Sequence, residues 1–249
     1  MLPSVERAVD FFEPIKFHCP ACDHETYDIE DGTHAWSPDL GGCDKELVPV
    51  LKQRAALYAT PNVARNCVWY HTTTHPGWPL RHPPSSGMFE HAVHIGSYEA
   101  GVENMLRSIE GQGRMLGDFY LVRLALAPGV KIPDAVYREE DLGGDFLGNV
   151  PASTLRWGEG SVAKMYVNEY EDKGNISIVT VPENIQVLAR LRVNEILDSV
   201  SQAITFSEPV NFKDFDRESW LQSAQRQDPR VGLLISEHEH VLRIIKGRT

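Results

Sequence analysis

The sequence has no excess of positive charge. Among its 249 residues, 24 Lys and Arg face 35 Asp and Glu, a formal net charge of −11. Non-specific nucleic-acid binding needs a positive surface, so this balance opposes it while leaving room for a local basic groove. Cysteine is scarce, at four residues, and in a reducing compartment these argue against a disulfide framework. No apolar run approaches the length of a membrane helix. The N-terminal stretch MLPSVERAVDFFEP lacks the basic start and apolar centre of a secretory signal, so the chain reads as cytoplasmic and without membrane attachment. A P-loop, a dinucleotide glycine fingerprint, a nucleophile elbow and an HExxH pair are all missing. So are internal repeats and low-complexity tracts.

What is present is ordinary for a globular chain: 42% hydrophobic and 24% charged residues, at a length that allows a sizeable core. After a short lead-in, residues 16 to 46 are dense in Cys, His, Asp and Gly and poor in aliphatics, so they need a metal or a neighbour to hold them. Leu47, Leu51, Ala55 and Tyr58 predict a helix over 44–59. Short β-branched or aromatic runs bounded by Gly, Pro or Asp predict strands over 67–72, 92–95, 119–126, 164–170 and 175–181. A helix is predicted over 98–109, ended by Gly111 and Gly113. Further helices are expected over 184–203, 216–225 and 237–245. The organisation expected is α+β with segregated elements: a Cys-rich segment with its linking helix over 1–60, a strand-rich core over 61–190, and a helical tail over 191–249 packed on that core.

Cys19-Pro20-Ala21-Cys22 is a CxxC turn, and Cys43 follows in a Gly-Gly-Cys-Asp turn. A CxxC turn lets two thiolates meet one tetrahedral metal ion, so these residues predict a structural Zn²⁺ site. Cys19, Cys22 and Cys43 supply three ligands. His34 is the preferred fourth, with His24 and Cys67 as the other choices.

The middle of the chain places polar groups at strand ends, where loops open and binding sites often form. Tyr70-His71-Thr72-Thr73 ends the first core strand, and Pro76-Gly77-Trp78-Pro79 breaks the backbone soon afterwards. His94-Ile95-Gly96-Ser97 ends the second, just before a helix. Tyr166-Val167-Asn168-Glu169-Tyr170-Glu171 follows on a late strand, with Gly174 turning the chain. In this order, over about residues 67–188, the chain resembles the ADP-ribosyltransferase fold of the His–hydroxyl/Tyr–Glu type, with a split β-sheet core. The resemblance implies NAD as substrate. It implies that His71 bonds a ribose of NAD, with Thr72 standing where glycine is common, that Ser97 or Tyr98 supports the nicotinamide, and that Glu171 bonds the 2′-hydroxyl of the nicotinamide ribose. Glu169, an even step away, would share its face on a regular strand.

The chemistry suits such a set. Loss of nicotinamide leaves an oxocarbenium-like ribose, comparable to glycoside cleavage. A nearby carboxylate stabilises that charge, and a carboxylate can take a proton from the nucleophile. The histidine aligns the substrate rather than attacking it. The function expected is ADP-ribosyl transfer from NAD to a macromolecular acceptor, or NAD glycohydrolysis. The acidic balance favours protein over nucleic acid as acceptor.

Plainer readings stand beside these. Ser97 is also a good N-cap, with Glu99 and Glu103 suited to the positive end of the helix. Trp78 can simply pack its loop, and Arg138-Glu139-Glu140-Asp141 reads as a surface run. The chain can also be a non-catalytic zinc-ribbon-like interaction protein with a degenerate core. A histidine-metal hydrolase would need metal near His71, His75 and His94.

Overall fold

A computed structural model describes residues 5–19, 25–27, 47–79, 91–144, 149–157, 160–204, 212, 215 and 217–247. The architecture is mixed α and β. Near the N-terminus, β1 (Lys16–His18) lies between β2 (Glu25–Tyr27) and β3 (Val48–Pro49) in a small antiparallel sheet. Ile15, Phe17 and Cys19 alternate inward, as a strand requires, and bury with Leu47. Cys22, His24, His34 and Cys43 lie outside the described residues. Cys67 is buried in a different apolar cluster from Cys19, and burial pushes its thiol pKa up.

Over 47–59, the described part of the helix predicted for 44–59, the chain is instead β3 followed by a single turn, α1 (Gln53–Ala56). Pro49 explains the change: it disrupts a helix interior but fits the edge of a sheet, where it faces Phe17. A short helix α2 (Pro61–Asn66) leads into β4 (Trp69–Thr73).

Two sheets carry the core. In chain order, their remaining elements are β5 (Val93–Ile95), α3 (Tyr98–Gln112), β6 (Tyr120–Leu126) and β7 (Val136–Arg138). A minor hairpin of β8 (Arg156–Trp157) and β9 (Gly160–Ser161) precedes β10 (Lys164–Val167), β11 (Ile176–Thr180) and β12 (Ile185–Arg192). One sheet runs β12-β6-β4 and is antiparallel throughout. The other runs β5-β11-β10-β7, with β7 parallel to β10. The sheets meet at one isolated bridge, where the Tyr70 N–H donates to the Gly96 carbonyl at 2.9 Å and the Gly96 N–H returns to Tyr70 at 3.0 Å. A Cβ on Gly96 would lie 2.7 Å from the Ala100 Cβ, so this junction admits only glycine without a shift.

Trp69, Ile95, Leu124, Met165 and Ile178 fill the core on one side. On the other, Tyr70, Tyr98, Met105 and Leu121 pack against the C-terminal helices. These are α4 (Val193–Ala203), α5 (Glu218–Gln225), α6 (Leu233–Ser236) and α7 (His238–Lys246). Each fully buried aliphatic here contributes roughly 1.5–3 kcal/mol relative to exposure.

The helix expected over 184–203 divides into β12 and α4. β12 pairs with β6 along its length, with a bulge between Val187 and Ala189; Ile185 buries in one core before it, and Ala189 and Leu191, two apart, bury in the other after it. Only Val193, Ile196, Leu197 and Val200 keep helical spacing, and all four are buried in α4.

The strand expected over 164–170 stops at Val167. Asn168 closes the turn that follows: its Oδ1 accepts from the N–H groups of Tyr170 and Glu171, each at 3.0 Å. Asp172 and Gly174 then take positive φ, 46° and 79°. A Cβ on Gly174 would sit 2.5 Å from the Val50 carbonyl oxygen. Gly174→Ala is therefore expected to cost more than about 1 kcal/mol. Denaturant titration checks this, and an unchanged midpoint would contradict the close approach of the turn to residue 50.

Candidate functional site

The split between the sheets opens a cleft of about 560 Å³. β4 supplies His71, β5 supplies His94, Gly96 follows β5, and α3 supplies Gly101, Asn104 and Arg107. Glu139, Asn149, Tyr166 and Asn168 line the facing side, and Tyr170, Glu171 and Ser177 complete the lining.

Trp69, His71 and Thr73 share one face of β4 by alternation. The broken loop after them folds Trp78 back onto the histidine, with rings stacked at 4.0 Å and 12°. Arg190 of β12 holds that loop by donating to the carbonyls of Pro76 and Trp78. His71 keeps some access to the cleft but sits deep in it. Burial, followed by the nearby His94, pushes its pKa down to about 3. The imidazole is thus neutral at physiological pH, able to donate through one ring nitrogen and accept through the other. His94 makes a 2.9 Å hydrogen bond through Nδ1 with the Tyr166 hydroxyl.

Thr72 points to the opposite face. Its buried hydroxyl donates to the Gly101 carbonyl at 2.7 Å and accepts from Asn104 Nδ2 at 3.1 Å. It therefore pins α3 to β4, and the threonine itself does not line the cleft.

Ser97 is the N-cap of α3, accepting from the Ala100 N–H at 3.0 Å. Tyr98 is buried and donates to the Leu234 carbonyl at 2.7 Å. Neither is among the residues lining the cleft. His71 and Glu171 both are, and Glu169 is not.

Glu171 belongs to the turn between β10 and β11 rather than to a strand. Arg107 Nε donates to its Oε1 at 2.7 Å. Next to it, Asp172 faces inward. Its carboxylate accepts from Ser97 Oγ at 2.5 Å, Asn175 Nδ2 at 2.6 Å and Lys52 Nζ at 2.9 Å. Its N–H donates to Glu103 Oε2 at 2.6 Å, and Glu103 pairs with Arg217 at 2.9 Å. The lead-in contributes Arg7, which donates to the Ile176 carbonyl at 3.0 Å. A buried ionic network thus fixes the turn that presents Glu171.

Arg107 and Asn104 line the cleft with no site role predicted from the sequence, Tyr166 is predicted only as part of a strand, and Glu139 lines the cleft instead of lying in a surface run. Arg107 and Asn104 carry a signal, a polar i, i+3 pair near Gly101 on a helix buried over most of its first three turns. Glu139 carries none, because its place depends on the parallel pairing of β7 with β10. His75 is exposed. Among the described residues, no three His, Cys, Asp or Glu side chains converge for a metal ion, and no helix is long and apolar enough to cross a membrane.

No family model, curated protein or solved structure matches the chain. The chemistry must be read from the cleft itself. It combines two imidazoles, two carboxylates, an arginine, several amides and aromatic hydroxyls, a set suited to a polyhydroxylated, polar ligand.

Proposed function

We propose that the cleft binds NAD and that the protein transfers ADP-ribose to a macromolecular acceptor, preferentially protein, or to water. One observation carries this reading: His71 and Glu171, far apart in sequence, line the same cleft. The two-sheet split around Tyr70 and Gly96 supports the ADP-ribosyltransferase-like core that the motifs resemble.

In this reading neutral His71, held by Trp78, bonds a ribose hydroxyl and aligns the sugar. Glu171 bonds the 2′-hydroxyl and stabilises positive charge developing at C1′ as nicotinamide leaves. Arg107 orients Glu171. Thr72, Ser97 and Tyr98 act behind the lining, by fixing α3 against β4 and the turn. The N-terminal segment holds a structural Zn²⁺ through Cys19, Cys22, Cys43 and a histidine, His34 or His24, since Cys67 is buried in a different apolar cluster from Cys19. Elemental analysis of the purified chain checks that site.

The test is nicotinamide release from NAD by the full chain, wild type against Glu171→Gln, with and without cell lysate. Release should fall about 100- to 1,000-fold in the variant while circular dichroism stays unchanged. Stimulation of wild-type release by lysate would reveal an acceptor. Absence of both NAD binding and release would overturn the reading.

A second reading has one observation in its favour. Arg107 already pairs with Glu171, as in a scaffold whose carboxylate serves structure. That non-catalytic interaction protein would keep its partner when Glu171 is replaced.

A further inference from the structure

Of the two carboxylates lining the cleft, Arg107 hydrogen-bonds only one. Arg107 donates to Glu171 and Asn104; among the described residues, no arginine hydrogen-bonds Glu139. We propose that Glu139 is a second catalytic residue, the base that removes the proton from the incoming nucleophile while Glu171 serves the ribose. The inference rests on the NAD reading of the cleft and adds a division of labour to it.

The placement comes from the fold. β7 runs parallel to β10, matching Tyr137 with Tyr166 and Arg138 with Val167. The chain leaves β7 directly into a 3₁₀ turn that begins at Glu139. This seats the carboxyl beside the end of β10, where Oε2 accepts the Glu169 N–H at 3.2 Å. A single backbone hydrogen bond orients the group and leaves lone pairs available to a ligand.

The surroundings suit proton transfer. Tyr166 faces Glu139 from β10, with His94 of β5 behind its hydroxyl. Glu169 and Glu171 face it from the turn and Arg107 from α3, while Arg138 and Glu140 flank it in sequence. Burial, then the charges of Glu171 and Glu169, raise its pKa to about 7 against the pull of the Glu169 N–H and Arg107. A carboxyl tuned near neutrality is an efficient general base at physiological pH.

The step balances. The acceptor X–H gives its proton to the Glu139 carboxylate, and the X lone pair forms a bond to C1′ of the nicotinamide ribose. The C1′–N bond breaks, and its electron pair remains on the nicotinamide nitrogen, neutralising the pyridinium charge. Acceptors whose nucleophile carries a removable proton, such as water, a hydroxyl or a guanidinium, use this base; a carboxylate acceptor gains nothing from it.

The test uses the full chain with NAD and water as acceptor. Nicotinamide release and NAD affinity are measured from about pH 5.5 to about 9 for wild type, Glu139→Gln and Glu139→Asp. The wild-type rate should rise through about pH 7 and level off, because the base must be ionised. Glu139→Gln should lose about 100-fold or more in kcat and the rising limb, with NAD affinity unchanged. Glu139→Asp should keep the rising limb at reduced rate, which separates chemistry from a folding defect. A Glu139→Gln chain that releases nicotinamide at the wild-type rate and profile would overturn this inference and leave the NAD reading intact. A wild-type chain that neither binds nor cleaves NAD would overturn both.

Discussion

Lys52→Met should destabilise the protein by about 3–5 kcal/mol, the usual cost of leaving one member of a buried ion pair without its partner. The side chains of Lys52 and Asp172 are 6% and 3% exposed and meet at 2.9 Å. Burial works to strip the Lys52 proton, but Asp172 and Glu103 outweigh it and the ammonium pKa is raised. Without Lys52, Asp172 keeps, among the described residues, only the neutral side-chain donors Ser97 and Asn175, beside two buried glutamates. Urea titration measures the loss. The double variant Lys52→Met/Asp172→Asn should recover a large part of it, since removing both charges removes the unpaired one. A single variant as stable as wild type would show that the network does not carry the turn. The same variant tests the site: Lys52 also ties its own N–H to the Gly174 carbonyl at 2.8 Å, but the lost salt bridge alone should loosen the turn and lower nicotinamide release without touching a lining residue.

Local signals were strong where an element is closed by its own residues. Ser97 and Gly113 bound α3 within a few residues of where capping chemistry puts them. The strands ending at Thr73 and Ile95 are readable because β-branched and aromatic runs meet turn residues there. β12 was misread because Leu188, Leu191 and Ile196 also fit helical spacing; only pairing with β6 decides, and pairing is not local. The site followed the same rule. His71 and Glu171 stand out as polar groups at the edges of apolar runs, whereas the inward turn of Asp172 and the outward turn of Glu171 depend on a positive φ that Lys52, Ser97 and Glu103 enforce from two other segments. Glu139 sat in a run of four charges that resembles any solvated loop.

The buried acids also predict how stability follows pH. Burial raises Glu99 to about 8 and Glu103 to about 7, with Asp172 adding to both. Glu139 is raised to about 7. Each of these carboxyls keeps its proton in the folded state at pH values where the unfolded chain, near 4.5, has lost it. The folded state then binds more protons, so stability falls as pH rises from the unfolded toward the folded value. His71 has the opposite sign: its folded pKa of about 3 lies below the unfolded 6.5, so its contribution is lost as pH drops through that range and is constant above it. The window above about pH 6.5 therefore isolates the carboxyls. Between about 6.5 and 8, the three should lower stability on the order of 3 kcal/mol together, from about 1.4 kcal/mol per pH unit for each fully coupled proton. Glu99→Gln should remove about half of that slope, because Glu99 spans most of the window and its neutral form is the one the fold holds. Urea titrations at several pH values give the slope; equal slopes for variant and wild type would sink the assignment. Activity should run the other way, since the proposed Glu139 base gains charge over the same range. Glu99→Gln should flatten the stability curve and leave the pH–rate profile standing, a separation that distinguishes the buried network from the chemistry of the cleft it supports.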